Sequence, residues 1–369
     1  MEFSRRKVIA FVGALFAVNT ANSANGALSR VSGFGAVDSI VWSPDGSALV
    51  TVNGPFLTLW DLITKKRRRI PLKQRARFRA ISFSRDGLRL LLGTEFGDVF
   101  VCNVKTGEIH DSYSLGSTTV VSIVEAADGV IFAGLWDGKL TLRRGKARPV
   151  LVKQAHLFGW VTLSASADGQ IIASCGDDQK ILFWNARTGE KIGSLTADNI
   201  GEKAMLAQIA GISFLPGNRF LSWAVNGVHW PIMTLWDLKT GEILRQGAQT
   251  KDPSGINLLS LNRAGSLGIY KPLLGSSTLI LFDIKNWIRL WKKDYGATSN
   301  PTALAISPSG HIVAVGQKLG GIEFIEPQGG SLLLSLYDDL EETNAYSPDG
   351  TKISLSNALE VVARQDNTF

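Results

Sequence analysis

A short turn sequence recurs along the chain and constrains the fold more than any other feature. It combines an early Pro or polar residue with a late Gly or Asn, which is the chemistry of tight hairpin turns. Eight copies, separated by 40 to 49 residues, indicate a repeat array. The copies are Ser43-Pro44-Asp45-Gly46, Ser84-Arg85-Asp86-Gly87, Ala126-Ala127-Asp128-Gly129, Ala167-Asp168-Gly169, Leu215-Pro216-Gly217-Asn218, Asn262-Arg263-Ala264-Gly265, Ser307-Pro308-Ser309-Gly310 and Ser347-Pro348-Asp349-Gly350.

The second half of each unit recurs as well. An apolar strand ends in an aromatic and a polar residue, and a Thr-Gly-Glu turn then opens a fourth strand. The strands are Leu57-Thr58-Leu59-Trp60-Asp61, Ile181-Leu182-Phe183-Trp184-Asn185, Thr234-Leu235-Trp236-Asp237 and the variant Leu279-Ile280-Leu281-Phe282-Asp283, and the turns begin at Thr106, Thr188 and Thr240. One four-stranded sheet cannot bury both of its faces alone, whereas radial stacking of such sheets buries them. The sequence therefore predicts an all-β propeller.

The residues of the fourth unit resemble the WD40 family, and the likeness extends over essentially all of residues 27–369. His156, Ser174, Asp178 and Trp184 match the family's pattern of His, Ser, Asp and Trp. The resemblance implies a buried relay in which Asp178 orients His156, His156 contacts Ser174, and Ser174 reaches the indole N–H of Trp184. A buried imidazole and a buried indole both need such partners. The other units lack the His, so we expect no relay there and only shared apolar packing.

The number of blades can be estimated from the chain length. Removing about 26 N-terminal residues leaves roughly 343, so eight units average about 43 residues and seven would need about 49, against ~40–45 for such blades. We therefore expect eight blades, with seven as the alternative. The last unit, residues 344–363, supplies three strands, and residues 28–34 could supply the fourth. N- and C-terminal strands would then close the ring in one blade.

The N-terminus predicts an export signal over residues 1–26, which leaves residues 27–369 as a single propeller. Arg5, Arg6 and Lys7 precede eleven apolar residues, 8–18, and small residues that suit cleavage come next. A membrane span needs roughly 20 apolar residues. Residues 4–9 also resemble the twin-arginine motif, with Val8-Ile9 in place of the usual Phe-Leu, and both this route and the general secretory route stay open. We expect a periplasmic or secreted protein.

Two cysteines, Cys102 and Cys175, are present in the chain. The repeat places them on strands of blades that are not neighbours, whereas a disulfide requires Cα atoms within about 7 Å. We therefore expect two free, buried thiols. Four tryptophans at equivalent strand positions, Trp42, Trp60, Trp184 and Trp236, are expected in the core.

A basic run dominates the charge distribution. No acidic residue lies between Asp61 and Asp86, and the nine cations from Lys65 to Arg79 alone exceed the net charge of +7 of the whole chain. They are Lys65, Lys66, Arg67, Arg68, Arg69, Lys73, Arg75, Arg77 and Arg79. Such a cluster attracts anionic partners, among them an anionic envelope surface, polyanionic glycans or an acidic protein face, and the simpler interpretation is a solvated charge run on an exposed hairpin. Phe78 is the single interleaved aromatic residue, and with the export signal this argues against nucleic acid.

Three insertions, residues 196–208, 226–233 and 270–276, lengthen connections of the fifth and sixth units on one face. His229 and Trp230 lie in the second insertion and form a candidate recognition spot. The alternative is that Trp230 folds back onto its own blade.

The motifs favour binding over catalysis. The sequence has no nucleophile elbow, no metal-binding spacing and no phosphate loop before a helix. We therefore expect an exported scaffold that binds a protein or peptide on a propeller face, without catalysis or a cofactor. The alternative is a quinoprotein-like periplasmic oxidoreductase, because Asp237-Leu238-Lys239-Thr240-Gly241-Glu242 is similar to that family's Asp-x-x-Thr-Gly motif. The Trp that ends the motif is missing near Gln246, and no adjacent cysteine pair is present.

Overall fold

Antiparallel strands make up most of the residues that the structure, a computed structural model, describes. The described residues are 36–70, 77–157, 159–195, 209–224, 233–247, 256–272, 277–296, 299–338 and 343–366. All of them fall in one unit, Gly33–Phe369. The expected export signal and the proposed closing strand, residues 28–34, lie outside the described residues. No described helix is long and apolar enough to cross a bilayer.

Strands that are consecutive in the chain pair into seven sheets within the described residues. We call these sheets blades 1 to 7 and the four strands of each blade A to D. Blades 1 to 3 are β1 Ser39–Trp42, β2 Ala48–Asn53, β3 Phe56–Asp61, β4 Lys66–Ile70; β5 Phe78–Phe83, β6 Arg89–Thr94, β7 Asp98–Asn103, β8 Ile109–Ser114; and β9 Val120–Glu125, β10 Ile131–Leu135, β11 Lys139–Arg143, β12 Val150–Gln154.

Blades 4 to 7 repeat the same meander. Their strands are β13 Thr162–Ala165, β14 Ile171–Cys175, β15 Ile181–Asn185, β16 Lys191–Leu195; β17 Ile209–Leu215, β18 Arg219–Ala224, β19 Met233–Asp237, β20 Ile243–Gly247; β21 Ile256–Leu261, β22 Leu267–Pro272, β23 Thr278–Asp283, β24 Ile288–Asp294; and β25 Pro301–Ile306, β26 Val313–Gln317, β27 Gly321–Ile325, β28 Leu332–Asp338.

The ring has seven blades, so the expectation of eight is wrong. The buried apolar side chains of the described residues form seven clusters, one at each seam between neighbouring blades. An open row of seven blades would have only six seams. The seventh cluster joins blade 7 to blade 1, where β25 packs beside β1. The extra residues per unit fall largely in the stretches 196–208, 225–232, 248–255 and 273–276, which lie outside the described residues.

The eighth turn copy does not start a blade. It joins β29, Thr343–Tyr346, to the two-residue strand β30, Lys352–Ile353, and this hairpin extends blade 7 outward from β28. The chain then forms helix α1, Leu355–Gln365, which begins at Ser354, where the side chain accepts a hydrogen bond from Asn357 N–H. The helix buries Ala358, Leu359, Val362 and Ala363, a helical i, i+3, i+4 pattern, in the cluster between blades 7 and 1.

The alternating strand directions give the ring two faces. The lower face carries the A–B and C–D turns, and the upper face carries the B–C turns and the connections between blades. On the lower face, Arg85 of blade 2 donates to the carbonyls of Ser166 and Ala167 in blade 4, and Arg263 of blade 6 donates to that of Pro44 in blade 1. These bonds link A–B turns of blades that are not neighbours across the lower mouth.

The predicted core residues are buried. Trp42, Trp60, Trp184 and Trp236 all lie in the seam clusters. Cys102 and Cys175 are free and buried, as expected. Burial raises the pKa of the Cys102 thiol to about 11 and also raises that of Cys175, so both thiols are protonated and inert near neutral pH.

Candidate functional site

Blade 4 holds a chain of hydrogen bonds through four side chains. Asp178 Oδ1 lies 2.7 Å from His156 Nδ1, and His156 Nε2 lies 2.9 Å from Ser174 Oγ. Trp184 Nε1 donates to Ser174 Oγ at 2.9 Å. His156 lies in the connection between blades 3 and 4. Ser174 lies on β14, Trp184 lies on β15, and Asp178 lies in the turn between those two strands. The meander therefore brings together four residues that are spread over 29 positions, 156–184.

The donors and acceptors of this relay are fixed by chemistry. The indole N–H only donates, so Ser174 Oγ accepts from Trp184 and its own hydroxyl hydrogen is left for His156 Nε2. Nδ1 then carries the proton that is donated to Asp178. Burial opposes ionisation of Asp178, but the hydrogen bonds from His156 and from the N–H of Leu157 outweigh it and hold the pKa of Asp178 below its usual value.

The same three residue types form the Ser-His-Asp triads of hydrolases. A nucleophilic serine must reach a substrate, whereas Ser174 is 0% exposed and His156 is 1% exposed. The Ser174 hydroxyl is also committed to Trp184. This geometry stabilises the blade and offers no access for an acyl substrate.

Two other blades keep part of the relay, which corrects the expectation that only apolar packing is shared. Trp60 Nε1 donates to Thr51 Oγ1 at 3.0 Å, and Trp236 Nε1 donates to Ser222 Oγ at 2.8 Å. Thr51 and Ser222 occupy the B-strand position of Ser174, since each lies two residues beyond the partner of the Trp in the strand pairing. The sequence shows a Ser or Thr at this B-strand position in blades 1 and 5 as well, although those blades lack the His.

Asp177 lies next to Asp178 of the relay, and its surroundings disfavour the ionised form of its carboxyl group. Its Oδ1 atom is buried and has no hydrogen-bond partner among the described residues. Burial, and then the charge of Asp178, raise the pKa of Asp177 to about 6. A perturbed carboxyl of this kind is a common sign of a functional site, but here its nearest titratable neighbour is the structural Asp178.

The basic run of blade 1 is largely occupied by structural contacts. Lys65 forms an ion pair with Glu360 of α1 at 3.0 Å. Arg68 donates to the carbonyl of Val104 in blade 2. The run continues beyond the turn along β4, the outer strand of the blade, where Lys66 is exposed and Arg67 and Arg69 are half-buried.

The rest of the predicted binding residues are spread apart. Arg79 lies on β5, an inner strand, and pairs with Glu95 at 3.5 Å, while Arg77 is exposed just before that strand. The structure thus separates Arg77 and Arg79 from the outer strand β4. Arg75, Lys73, His229 and Trp230 lie outside the described residues.

Exposed apolar side chains mark the upper face over adjacent blades. Leu319 in the B–C turn of blade 7 is 61% exposed, and Phe96 in the B–C turn of blade 2 is 60% exposed. Phe56, the first residue of strand C in blade 1, is 37% exposed. Leu157, in the connection from blade 3 to blade 4, is 69% exposed. We call these four residues the upper apolar arc. Sequence reasoning missed it, because single apolar residues in short turns carry no periodic signal.

A second group of cations lies on the lower face, where the C–D turns of blades 3 and 4 meet. These turns and the first residue of β16 carry five exposed cations, which we call the cationic seam: Arg144, Lys146, Arg148, Arg187 and Lys191. Arg144 donates to the backbone carbonyl of Arg187, so the two turns are in contact. The run 144–148 was visible in the sequence, but its union with the next blade was not.

The quinoprotein-like motif forms an ordinary C–D turn. Asp237 Oδ1 accepts from the N–H groups of Lys239 and Thr240 at 2.8 Å each, as Asn185 does for Arg187 and Thr188 in blade 4. Hydrogen bonds to Thr240 and Lys239 N–H hold the pKa of Asp237 below its usual value. Among the described residues, no three His, Cys, Asp or Glu side chains are grouped to hold a metal ion.

Comparison with known proteins agrees with the repeat. Residues 147–185, which contain the whole relay, match the family model "WD domain, G-beta repeat". WD repeat-containing protein 1 of Xenopus tropicalis is 24% identical and aligns with 76% of this chain and 53% of its own length. WD repeat-containing protein SL1-17 of Schistosoma mansoni is 28% identical over 37% of this chain and 46% of its own length. This chain thus spans about half the length of these curated relatives.

A solved structure gives the fold independently. A chain of the "Crystal Structure of Mitotic Checkpoint Complex" superposes with a TM-score of 0.63, covers 82% of this chain and 96% of that chain, and is 15% identical. This likeness concerns the fold alone. With seven four-stranded blades, one matched repeat and WD-repeat relatives, the chain is similar to WD40-type β-propellers.

Proposed function

We propose that this propeller is exported and binds a protein partner on its upper face, without catalysis of its own. The observation that carries the proposal is the upper apolar arc. Exposed apolar side chains gain free energy when a partner removes them from water, and groups of such side chains mark protein–protein interaction sites. The arc spans blades 7, 1 and 2 and ends at Leu157, at the seam between blades 3 and 4.

The rigidity of the platform supports the same function. The blade 4 relay and the seven seam clusters fix the strands, so the turn tips are held in place before a partner arrives. A preorganised surface loses less conformational entropy on binding. The relay side chains themselves are sealed inside the blade, which favours a structural role for them over a catalytic one.

The upper face can be tested with a double variant. We expect Phe96→Ser with Leu319→Ser to lose most binding to a partner captured from envelope extracts, about tenfold or more in Kd, since each residue would act as an anchor. The matched control is Leu88→Ser, because Leu88 is 65% exposed but comes just after an A–B turn on the lower face. Equal loss in both proteins, or no loss in either, would contradict a site on the upper face.

Export is proposed on the strength of the N-terminal sequence. We expect fractionated cells to hold the protein in the periplasm with a new N-terminus near residue 27. Arg5→Lys with Arg6→Lys should block export by the twin-arginine route and leave the general secretory route intact. Protein that stays in the cytoplasm with residue 1 in place would contradict export by either route.

A further inference from the structure

We propose that the cationic seam docks this protein on a bilayer through anionic lipid headgroups. The site is on the lower face, so this inference is independent of the protein-binding site proposed for the upper face. We assign the contact with anionic lipid to this seam and not to the basic run of blade 1. In that run, Lys65 and Arg68 form bonds within the protein, and Arg77 and Arg79 lie apart from strand β4.

The charges of the seam are available to a ligand. All five cations are exposed, and none forms an ion pair with a described carboxylate. Glu190 is the single acid in the two turns, so the seam carries a net charge of about +4. The corresponding turn of blade 5, with Lys239 and Glu242, is neutral. A cationic C–D turn is therefore not a general feature of the blades.

Two exposed aliphatic side chains flank these cations. Val150 begins β12, Ile192 is the second residue of β16, and each is 54% exposed. Both lie directly after the turns that supply the charges. Cations that surround aliphatic side chains suit the interface of an anionic bilayer, where headgroups meet acyl chains. A soluble polyanion would use the charges but gain little from the aliphatic pair.

The position of the seam suits a flat surface. The two C–D turns are in contact through Arg144 and the Arg187 carbonyl, and both project from the lower rim of the ring. A protein docked by this rim keeps its upper face directed away from the bilayer. The upper apolar arc then stays accessible to a protein partner.

The test measures binding of the full-length chain to vesicles of phosphatidylglycerol and phosphatidylcholine by co-sedimentation. Each cation near an anionic surface contributes about fivefold to the partition coefficient. We expect Arg144→Gln, Lys146→Gln and Arg148→Gln together to weaken binding by about a hundredfold at low salt. The N-terminal apolar segment is the same in every variant. The ratio of the partition coefficients of two variants therefore measures the contribution of the seam to vesicle binding.

The matched control removes three exposed cations from the C–D regions of blades 5 and 6: Lys239→Gln, Lys285→Gln and Arg289→Gln. It changes the net charge equally, so similar loss in both triple variants would overturn a local site. Wild-type binding that is as tight to pure phosphatidylcholine would also overturn the proposal. A third variant, Val150→Ser with Ile192→Ser, should weaken vesicle binding but not heparin binding. Wild-type binding to heparin without binding to vesicles would assign the seam to a soluble polyanion instead.

Discussion

Lys65 of blade 1 and Glu360 of helix α1 lie 3.0 Å apart, and their ion pair spans the seam at which the ring closes. Hydrogen bonds from Lys65 and Arg364 hold the pKa of Glu360 below its usual value. Both partners of the pair are partly exposed, so solvent screens their attraction and the pair contributes little to stability. The apolar face of α1, which is buried in the cluster between blades 7 and 1, therefore contributes more to this closure than the ion pair does.

We expect Leu359→Ala to destabilise the protein by about 2–4 kcal/mol, because Leu359 is fully buried between blades 7 and 1 and its removal leaves a cavity. Urea unfolding followed by tryptophan fluorescence measures the loss. Val361→Ala is the control on the same helix, since Val361 is 41% exposed, and it should change stability by less than about 0.5 kcal/mol. Equal effects of the two substitutions would mean that α1 does not close the ring.

The last repeat shows why sequence reasoning gave the architecture but not the number of blades. Ser347-Pro348-Asp349-Gly350 forms the expected hairpin turn, and hydrogen bonds from Ser347 and Thr351 lower the pKa of Asp349 to about 2. Turn chemistry is local, so the sequence predicts it correctly. The structure of the residues after the turn is decided by packing, because only two residues pair in β30 before the helical pattern of residues 355–365 begins.

The candidate sites show the same difference between features that are local in the sequence and features that depend on packing. The relay partners of His156 were predicted from the resemblance of the fourth unit to the WD40 family, and the structure places all four side chains in one hydrogen-bonded chain. The run from Lys65 to Arg69 looked like one site because its residues are consecutive, although a strand sends neighbouring side chains to opposite faces. The cationic seam escaped notice because it joins Arg144 and Arg187, which only the packing of blades 3 and 4 brings into contact.

We expect Ser174→Ala to cost more stability than Ser222→Ala. The first substitution leaves two buried groups without a partner, His156 Nε2 and Trp184 Nε1, whereas the second leaves only Trp236 Nε1. Each orphaned group costs about 1–3 kcal/mol. Denaturant unfolding of the two variants gives the comparison, and equal losses would argue that the bond between Ser174 and His156 contributes nothing to stability.

The two thiols should be unreactive in the folded protein. Cys102 and Cys175 are fully buried, and burial raises the pKa of both. We therefore expect no reaction with a thiol-specific chromogenic disulfide at pH 7.5 in native buffer and reaction of two thiols per chain in guanidinium. Rapid labelling of one thiol in native buffer would show that a seam opens readily at Cys102 or Cys175.

The sign of the pH dependence at Asp177 is set by its environment. Burial, and then Asp178, raise the pKa of Asp177 from 3.8 to about 6, so the folded protein favours the protonated carboxyl. Stability from this group is fully present below the unfolded pKa and is lost as the pH rises through 6. Asp168 has the opposite sign, because hydrogen bonds from Ser166 and Gln170 N–H lower its pKa. Its contribution is present above the unfolded pKa and is lost as the pH falls through the folded value.

We expect Asp177→Asn to raise the Tm above about pH 6.5, because the amide resembles the protonated carboxyl that the site favours. The Tm of the variant and that of the wild type should converge below pH 4, where Asp177 is protonated in both the folded and the unfolded chain. Asp168→Asn is the control and should lower the Tm at neutral pH, with the difference shrinking in acid. Thermal unfolding by calorimetry from pH 3.5 to 8 measures both. A lower Tm for Asp177→Asn at pH 7.5 would show that the ionised carboxylate has a stabilising partner.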